Sequence, residues 1–363
     1  MNQHSLIGRE LARAVRGAVE VRDSADGCTP HRLPLSTRSR QADDGIEHMA
    51  AMAAGVRVPL ATTASLLVVD LTARLPVPHA HRETPGRLVV EVDGEVRERI
   101  DLAAGRQRAR IRLGPTASAR TVTLWLSQTA TVTLHSITAD SALRPEPSSR
   151  ARWVHYGSSI SHATDVDDPL GGWPVQAARA LDLDLTSLAF AGNAMLDHFV
   201  ADVVAGLPAE LITLKIGINP VNGDCFRRRT FIPAMHSFLD GIRAGHPTTP
   251  IVVITALACP IHEDTTGPTR EVSPGRAGAT PRDIPAGDGS LTLRRTREYV
   301  EHVVAMRQGE DSRLTLLNGL ELFGPDDESC LPDALHPDQE GHDRIARRFV
   351  DRMRPVVDRL RPR

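Results

Sequence analysis

The chain has 363 residues, which is enough for two domains of ordinary size. Hydrophobic residues make up 41% of it, charged residues make up 24%, and the formal net charge is -2. This composition is typical of a globular protein. It excludes a strongly basic nucleic-acid binder and a protein held by charge at an anionic membrane.

The cysteines and the N-terminal sequence indicate the compartment. Four cysteines lie far apart in the sequence, which argues against a disulfide framework or a zinc site: Cys28, Cys225, Cys259 and Cys330. The N-terminal sequence lacks the apolar segment and cleavage site of a signal peptide, and no apolar run approaches the roughly 20 residues that cross a bilayer. We therefore expect a cytoplasmic protein with no nucleic-acid or membrane partner. The oligomeric state is not indicated.

The first half of the chain predicts strands. Apolar and polar residues alternate in "SLLVVDLTARL", "GRLVVEVDGEVRERIDL", "RQRARIRLG" and "RTVTLWLSQTATVTLHSI". The Asp-Gly pair within "VDGEV" predicts a hairpin. Strands at this spacing predict an N-terminal β-sandwich of jelly-roll type, which we place at residues 1–145. Near the start of this domain, "ELARAVRGAVEV" fits a short helix or a strand.

The second half predicts a different architecture. The polar, proline-containing segment "SALRPEPSSRAR" (141–152) predicts a linker, and strands and helices then alternate strictly to the end. This alternation predicts an α/β domain with a central parallel sheet flanked by helices, at residues 146–363. The last helix has an apolar stripe that would pack on the sheet, formed by Ile345, Phe349, Met353 and Val356.

Three predicted strands end in residues that suit nucleophilic chemistry. In a parallel sheet, ligands bind beyond the carboxyl ends of the strands. "WVHYGSS", "LAFAGN" and "LKIGIN" end there and supply Ser159, Gly192 and Asn219. Ser159 suits a nucleophile. Its own N–H, the N–H of Gly192 and the amide of Asn219 suit an oxyanion hole.

A serine nucleophile needs a base, and the base needs an orienting acid. Asp333 and His336 lie three residues apart in "LPDALHPDQEGH", just before the last predicted helix. Pro337 disfavours helical backbone at His336, so the pair is expected in a loop. Each of these motifs alone is common in turns and surface pairs. Their order on the predicted fold makes them a candidate catalytic site.

The chain resembles the SGNH, or GDSL-type, hydrolase family. The blocks "YGSSIS", "FAGNAM", "KIGINP" and "PDALHP" follow the order of the family's Gly-Asp-Ser-Leu block, glycine, asparagine and Asp-x-x-His block, over about residues 150–358. The resemblance implies that Ser159 is the nucleophile, His336 the base and Asp333 its orienter. It implies that Gly192 and Asn219 complete the oxyanion hole, with no metal and no organic cofactor.

Two positions depart from the family pattern. Ser158 replaces the aspartate of the first block, and Pro220 replaces the aspartate that often follows the asparagine. The α/β-hydrolase fold is the nearest alternative with a serine triad, and its nucleophile lies in a G-x-S-x-G motif. This chain has Ser161 in place of the last glycine of that motif. Ser158 and Ser161 are also weaker candidates for the nucleophile than Ser159.

Other segments offer weaker candidates. The long segment 259–290 is predicted to cover the serine pocket, with disorder as the alternative. His262, Glu263 and Asp264 in that segment suit a metal site, but a solvated loop is the favoured interpretation. The acidic residues at 165–168 suit substrate selection or a polar turn. Four further side chains are possible pocket or platform residues: His162, His198, Trp125 and Trp173.

Three functional hypotheses follow. The first is an acyltransferase that passes an acyl group from Ser159 to a hydroxyl of a small molecule, since the two-domain layout is similar to that of acyltransferases of aromatic polyketide tailoring. The second is an esterase that uses water. The third is a carbohydrate-binding protein with an inactive catalytic domain. The expected partners are a small-molecule ester or thioester donor and a hydroxyl acceptor.

Overall fold

The computed structural model describes residues 4–75, 86–280 and 287–360. The described residues form two compact units, each with its own contacts. The first contains the described residues up to Arg150 together with Val166–Gly171, and the second contains Ala151–Asp165 and the described residues from Gly172 onwards. No helix in the described ranges is both long enough and apolar enough to cross a lipid bilayer.

The first unit is built on two antiparallel sheets. Their strand orders are β2-β3-β10-β5-β8, with β1 beside β10, and β11-β4-β9-β6-β7. Alternate residues of the strands, such as Val58 and Leu60 or Val69 and Leu71, belong to one buried apolar cluster, which confirms the predicted sandwich. The elements are β1 (His4–Leu6), α1 (Gly8–Ala14), β2 (Glu20–Ser24), β3 (Gly27–His31), α2 (Gly45–Ala51), β4 (Arg57–Thr62), β5 (Leu66–Arg74), β6 (Gly86–Val92), β7 (Glu95–Leu102), β8 (Gly105–Arg112), β9 (Arg120–Trp125), β10 (Thr131–Ala139) and β11 (Leu143–Pro145).

Local sequence explains several features of this unit. The Asp93-Gly94 pair joins β6 to β7 with φ values of 50° and 87°, as a two-residue hairpin turn requires. The segment predicted as a linker instead supplies β11, which pairs with β4. Pro145 is tolerated there because β11 is an edge strand. The ambiguous segment 10–21 supplies most of the helix α1 and the first two residues of β2.

The second unit is an α/β domain. Its five strands are all parallel, in the order β13-β12-β14-β15-β18, so the predicted fold class is confirmed. A two-stranded antiparallel hairpin, β16-β17, lies outside this sheet. The elements are β12 (Ala151–Gly157), α3 (Ser159–His162), α4 (Trp173–Leu181), β13 (Leu183–Ala189), α5 (His198–Gly206), β14 (Leu211–Lys215), α6 (Ile218–Asn222), α7 (Arg228–Gly245), β15 (Ile251–Ile254), β16 (Thr269–Ser273), β17 (Arg276–Ala279), α8 (Leu293–Gln308), β18 (Leu314–Leu317) and α9 (Gln339–Val357).

The middle strands bring the three predicted strand ends together. β12 pairs with β13 on one side and with β14 on the other. Two details differ from the prediction, because Ser159 begins the short helix α3 and Asn219 lies in the short helix α6. β14 stops early because Gly217 turns the chain at a φ of 135°, and a side chain there would press on Ala256 and Thr296 at 3.0 Å.

Aromatic packing fixes α9 against the sheet. Phe349 of α9 stacks on Trp153 of β12 with ring centroids 5.3 Å apart, and it also contacts Trp173 at 5.0 Å. The buried stripe of α9 ends at Val357 rather than at Val356, because the four-residue spacing from Phe349 continues to the last residue of the helix. The loop before α9 is therefore held close to the end of β12.

Candidate active site

Three predicted site residues meet beyond the end of β12. Ser159 Oγ lies 3.0 Å from His336 Nε2, and His336 Nδ1 lies 2.7 Å from Asp333 Oδ2. Because a carboxylate only accepts, Nδ1 carries the proton and Nε2 is left to accept from the serine hydroxyl. This is the hydrogen-bond chain that a serine needs to lose its proton to a base.

The loop that carries His336 is fixed by its own backbone. Asp333 Oδ1 accepts hydrogen bonds from the N–H groups of Leu335 and His336, at 2.9 and 2.6 Å. Asp338 then caps α9 by accepting from the N–H of Gly341 at 3.0 Å. The loop is thus short, capped and attached to a packed helix, so the imidazole is held in place before any ligand binds.

Electrostatics favour a charged orienting carboxylate. Burial alone would raise the pKa of Asp333, but the hydrogen bond and charge of His336 hold it down to about 2. Asp165 supplies a second carboxylate, with its Oδ2 4.0 Å from His336 Nδ1. Two carboxylates beside one imidazole favour the charged, imidazolium form of that ring.

Three hydrogen-bond donors lie at the ends of β12, β13 and β14. The amide oxygen of Asn219 accepts from the N–H of Ala194 at 3.0 Å, which leaves the NH2 of Asn219 as its unused group. The N–H groups of Ser159 and Gly192 donate to no carbonyl of the described residues. Gly192 has a φ of 72° with open space around it, so glycine is favoured there by backbone conformation.

A buried polar network that the sequence analysis missed lies behind Ser159. His155 of β12 is fully buried and hydrogen-bonds Thr213 at 2.7 Å and Ser161 at 2.8 Å. Lys215 Nζ donates to Ser158 Oγ at 3.1 Å. One signal was available: Lys215 is the only lysine in the chain.

Comparison with known proteins places this site in a family. Residues 155–344, more than half of the chain, match the family model described as GDSL-like lipase/acylhydrolase. The chain belongs to the GDSL-like lipase/acylhydrolase family. Residues 13–135 match the model described as the SsfX3 N-terminal domain, which agrees with the predicted two-domain resemblance. A sequence comparison with curated proteins returned no match.

Several solved structures share the fold of this chain over nearly its whole length. The chain is similar to the structure titled salicylyl-acyltransferase SsfX3 from a tetracycline biosynthetic pathway, with a TM-score of 0.82, 28% identity, and coverage of 98% of this chain and 97% of that one. A putative GDSL-like lipase from Bacteroides ovatus has a TM-score of 0.74, 18% identity and 98% coverage of both chains. A family two carbohydrate esterase from Cellvibrio japonicus has a TM-score of 0.63, 16% identity and 99% coverage of both. The family, together with the 28% identical match, supports an acyl-transferring or hydrolytic enzyme.

The other residues that the sequence analysis singled out lie outside the four sequence blocks of the candidate site. His262 is buried and bonds Thr265 and Thr269, while Glu263 pairs with Arg297 and Asp264 pairs with Arg294. Each of the three side chains has its own partners, so a shared metal ion is not needed to explain their positions. The favoured solvated-loop interpretation is wrong for His262, because that side chain is buried. The remaining side chains are His162, which is buried, His198, which is exposed, and Trp125 and Trp173, which are buried in packing.

One group of described residues has the spacing of metal ligands. Atoms of Asp165, Asp333 and His336 lie within 4.8 Å of one another. A cation bound there would compete for the same Nδ1 that hydrogen-bonds Asp333. The acidic segment that supplies Asp165 is also divided, because Asp168 forms an ion pair with Arg99 within the first unit.

The long segment 259–290 contacts the loop of the candidate site. The N–H of Ala277 on β17 donates to the carbonyl of Asp333 at 2.8 Å. At its other side, Gly267 packs so closely that an added Cβ would lie 1.9 Å from the carbonyl oxygen of Val221 on α6. The segment therefore touches both the Asp333 loop and the helix that carries Asn219. Residues 281–286 of the predicted cover lie outside the described residues.

Proposed function

We propose that this chain is a serine acyl-transfer enzyme that works through an acyl-Ser159 intermediate. The observation that carries the proposal is the 3.0 Å contact between Ser159 Oγ and His336 Nε2, with Asp333 on the other ring nitrogen. In the first step Ser159 Oγ attacks the acyl carbon as its proton passes to His336 Nε2. The bond to the donor alcohol or thiol breaks, and that leaving group takes the proton.

The second step returns the enzyme to its starting state. An acceptor hydroxyl gives its proton to His336 Nε2 and attacks the acyl carbon of acyl-Ser159. The bond from that carbon to Oγ breaks, and Oγ recovers the proton. In both steps the N–H groups of Ser159 and Gly192 and the amide of Asn219 face the developing oxyanion. We assign no metal and no organic cofactor to the reaction.

We infer that the preferred acceptor is a hydroxyl of a small molecule, with natural-product tailoring as the setting. The inference is supported by the relative whose title names a salicylyl-acyltransferase of a tetracycline pathway, at 28% identity over 98% of this chain. A bound and oriented acceptor reaches effective molarities of 10⁵ M or more, whereas water is present at roughly 55 M. An acyl thioester donor also fits the cytoplasmic location that the sequence predicts.

Ester hydrolysis is the second candidate function, because the family model describes lipases and acylhydrolases. The same groups perform it when water takes the place of the acceptor hydroxyl. The third hypothesis, a carbohydrate-binding protein with an inactive catalytic domain, is disfavoured because the serine, imidazole and carboxylate groups are all present and hydrogen-bonded.

The deciding experiment measures where the acyl group goes. The protein is incubated with a panel of acyl thioesters and esters, and intact-protein mass spectrometry records the mass added at Ser159, with Ser159→Ala as the control. The donor that labels the protein is then used with and without polyketide and sugar hydroxyl compounds. Acylated acceptor with slower background hydrolysis supports the transferase. If no acceptor is acylated while simple esters are cleaved at thousands of M⁻¹s⁻¹ or more, the enzyme is an esterase.

A further inference from the structure

Lys215 is the one buried lysine of a chain that otherwise uses arginine for every strong base. It ends β14, beside the strand that leads to Ser159, and only 3% of its surface is exposed. Its ammonium donates to Ser158 Oγ at 3.1 Å and forms no ion pair with any described carboxylate. A buried cation without a carboxylate is unfavourable for folding, so it calls for an explanation.

A buried arginine shows how a structural cation is bound by backbone acceptors. Arg32 lies in the first unit, and its guanidinium donates to the backbone carbonyl oxygens of Met49 and Met52. Lys215 has a single hydroxyl partner instead. Burial lowers the pKa of Lys215 to about 7, so its charge changes near neutral pH, which an arginine cannot do.

The partner of Lys215 is the residue that precedes the candidate nucleophile. Ser158 stands at the N-cap of α3, but its side chain caps no helix N–H. Its hydroxyl instead accepts the hydrogen bond from Lys215, which anchors the peptide whose N–H belongs to Ser159. The blocks of the resembling family carry an aspartate at this position. A carboxylate at position 158 would be a counterion for Lys215, whereas the hydroxyl of Ser158 carries no charge.

Two buried histidines near Lys215 stay neutral at pH 7, while Asp165, Asp343 and His336 also act on one of them, His342. On β12, burial and then the charge of Lys215 lower the pKa of His155 to about 3. On α9, burial lowers the pKa of His342 to about 4, with Lys215 among the smaller causes. β15, on the other side of β14, faces it with the apolar residues Ile251–Ile254. Neither buried histidine changes charge near neutral pH, whereas Lys215 does.

We propose that protonated Lys215 is a positioning residue for Ser159: through Ser158 it holds the Ser158–Ser159 peptide so that the Ser159 N–H faces the developing oxyanion. The proposal rests on the proposed function, since it assumes that Ser159 is the nucleophile. Its consequence is that reactivity of Ser159 falls as Lys215 loses its proton. A purely structural lysine would show no such dependence.

The single lysine allows a direct titration. Protein produced without a lysine-containing tag and labelled with [ε-¹³C]lysine gives one side-chain resonance, whose chemical shift against pH reports the pKa of Lys215. The expected midpoint is near pH 7, and Ser158→Asp is expected to raise it because the new carboxylate favours the charged form. A midpoint above about 9.5 in the wild-type protein would contradict the pH dependence that the proposal requires, since the ammonium would then stay charged throughout the working range.

The second measurement follows the reactivity of Ser159 with a fluorophosphonate, so no substrate needs to be known. The Ser159 Oγ–P bond forms as the P–F bond breaks, fluoride leaves, and the serine proton passes to His336. Inactivation rates are compared across pH 5.5–9 for the wild type, Lys215→Met, Ser158→Ala and Ser158→Asp. The matched control is Thr296→Val, which removes another fully buried hydroxyl, one that bonds a carbonyl of its own helix.

We expect the inactivation rate of the wild type to fall above about pH 7. Lys215→Met should react about tenfold or more slowly, which is the size expected for the loss of one charge-assisted contact. Its rate should not show the decline above pH 7. Ser158→Ala should also be slower, and Ser158→Asp should move the decline to higher pH. Lys215→Met should raise the melting temperature, because an apolar side chain of similar length replaces a buried charge. Thr296→Val should leave the pH profile unchanged.

The outcomes separate this proposal from the proposed function. If the wild-type protein is not labelled at Ser159, the proposed function fails. If it is labelled but Lys215→Met reacts at the wild-type rate with the same pH profile, only the role of Lys215 is wrong. If Lys215→Met is less stable than the wild type but equally reactive, the lysine has only a structural role. If that variant does not fold, the wild-type titration and the two Ser158 variants still decide.

Discussion

Ser159 and His336 are 177 positions apart in the chain, yet their side chains hydrogen-bond at 3.0 Å. The backbone of the Asp333 loop and the packing of α9 on β12 hold this contact without a ligand. Preorganisation of this kind lets a nucleophile, a base and donors act without rearrangement during the reaction. The first predictions therefore concern single side chains.

Ser159→Ala should abolish acyl-enzyme formation and lower turnover by at least about 1,000-fold, because it removes the proposed nucleophile. The folded state should persist, since the change removes one hydroxyl. Intact-mass labelling and circular dichroism check both statements. Ser158→Ala is the comparison variant, and it should still be labelled at Ser159, although more slowly. Labelling of Ser159→Ala together with loss of labelling in Ser158→Ala would move the nucleophile by one residue.

Asn219→Ala should lower kcat about 100- to 1,000-fold if its amide donates to the oxyanion. It should also lower the free energy of unfolding by about 1–3 kcal/mol, because the N–H of Ala194 loses its acceptor. Steady-state kinetics and urea denaturation separate the two effects. Asn222→Ala, in the same helix α6, is the control and should leave kcat unchanged. Wild-type kcat in Asn219→Ala would remove Asn219 from the oxyanion hole.

At the scale of elements, the segment 259–290 makes contacts that position it to influence the substrate. β17 binds the backbone of Asp333, and Gly267 lies against α6. The segment is attached to the surroundings of the candidate site at two places. It includes the hairpin of β16 and β17, which stands apart from the main sheet, so it is not required for sheet pairing.

Replacing the hairpin turn between β16 and β17 together with both strands (269–279) by a short glycine-serine linker should change selectivity more than stability. The reason is that the hairpin contributes no strand to the parallel sheet but touches the Asp333 loop. Ratios of kcat/KM for a short and a long acyl donor, together with the melting temperature, provide the measurement. Unchanged ratios with a large fall in melting temperature would show that the segment supports the fold only.

At the scale of the whole molecule, ion pairs with arginine predict sensitivity to acid. Hydrogen bonds from Arg106 and Arg108 lower the pKa of Asp70. Burial alone would raise the pKa of Asp327, but hydrogen bonds from Arg348, Gly324 N–H and Arg344 hold it down to about 2. A carboxyl group whose pKa is lower in the folded state stabilises the protein above its ordinary pKa near 4 and loses that contribution as pH falls towards 2.

The free energy of unfolding should therefore fall between pH 4 and pH 2, and it should rise from pH 7 to about 8. The rise comes from Lys215, whose pKa of about 7 lies below its ordinary value, so the unfolded chain binds a proton there that the folded chain does not. Above about pH 8.5 the buried thiols act in the opposite direction, since burial raises the pKa of Cys259 to about 12. Urea denaturation from pH 2 to 8 measures the effect. In Lys215→Met the rise in the free energy of unfolding from pH 7 to about 8 should be absent. A wild-type free energy of unfolding that stays constant over this range would contradict the prediction.

The sequence by itself determined the fold class and the candidate residues of the site. Alternation with period two indicated the sandwich, and alternating strands and helices indicated the parallel sheet. Ser159, Asp333 and His336 were predicted together, and the structure brings them within hydrogen-bond distance, although their catalytic roles stay predictions. These features were accessible because strand periodicity and short motifs are local properties of the chain.

Only the tertiary structure decided which groups lie beside those residues. It placed Asp165 4.0 Å from His336. It showed that "KIGIN" ends in the helix α6, because Gly217 turns the chain, and that the predicted linker contains the strand β11. It also brought Lys215 to Ser158, 57 positions away. Such contacts depend on how distant segments pack and on what burial does to a charge. Neither is encoded in a local pattern, so a lone lysine in the sequence becomes a functional candidate only once its buried surroundings are known.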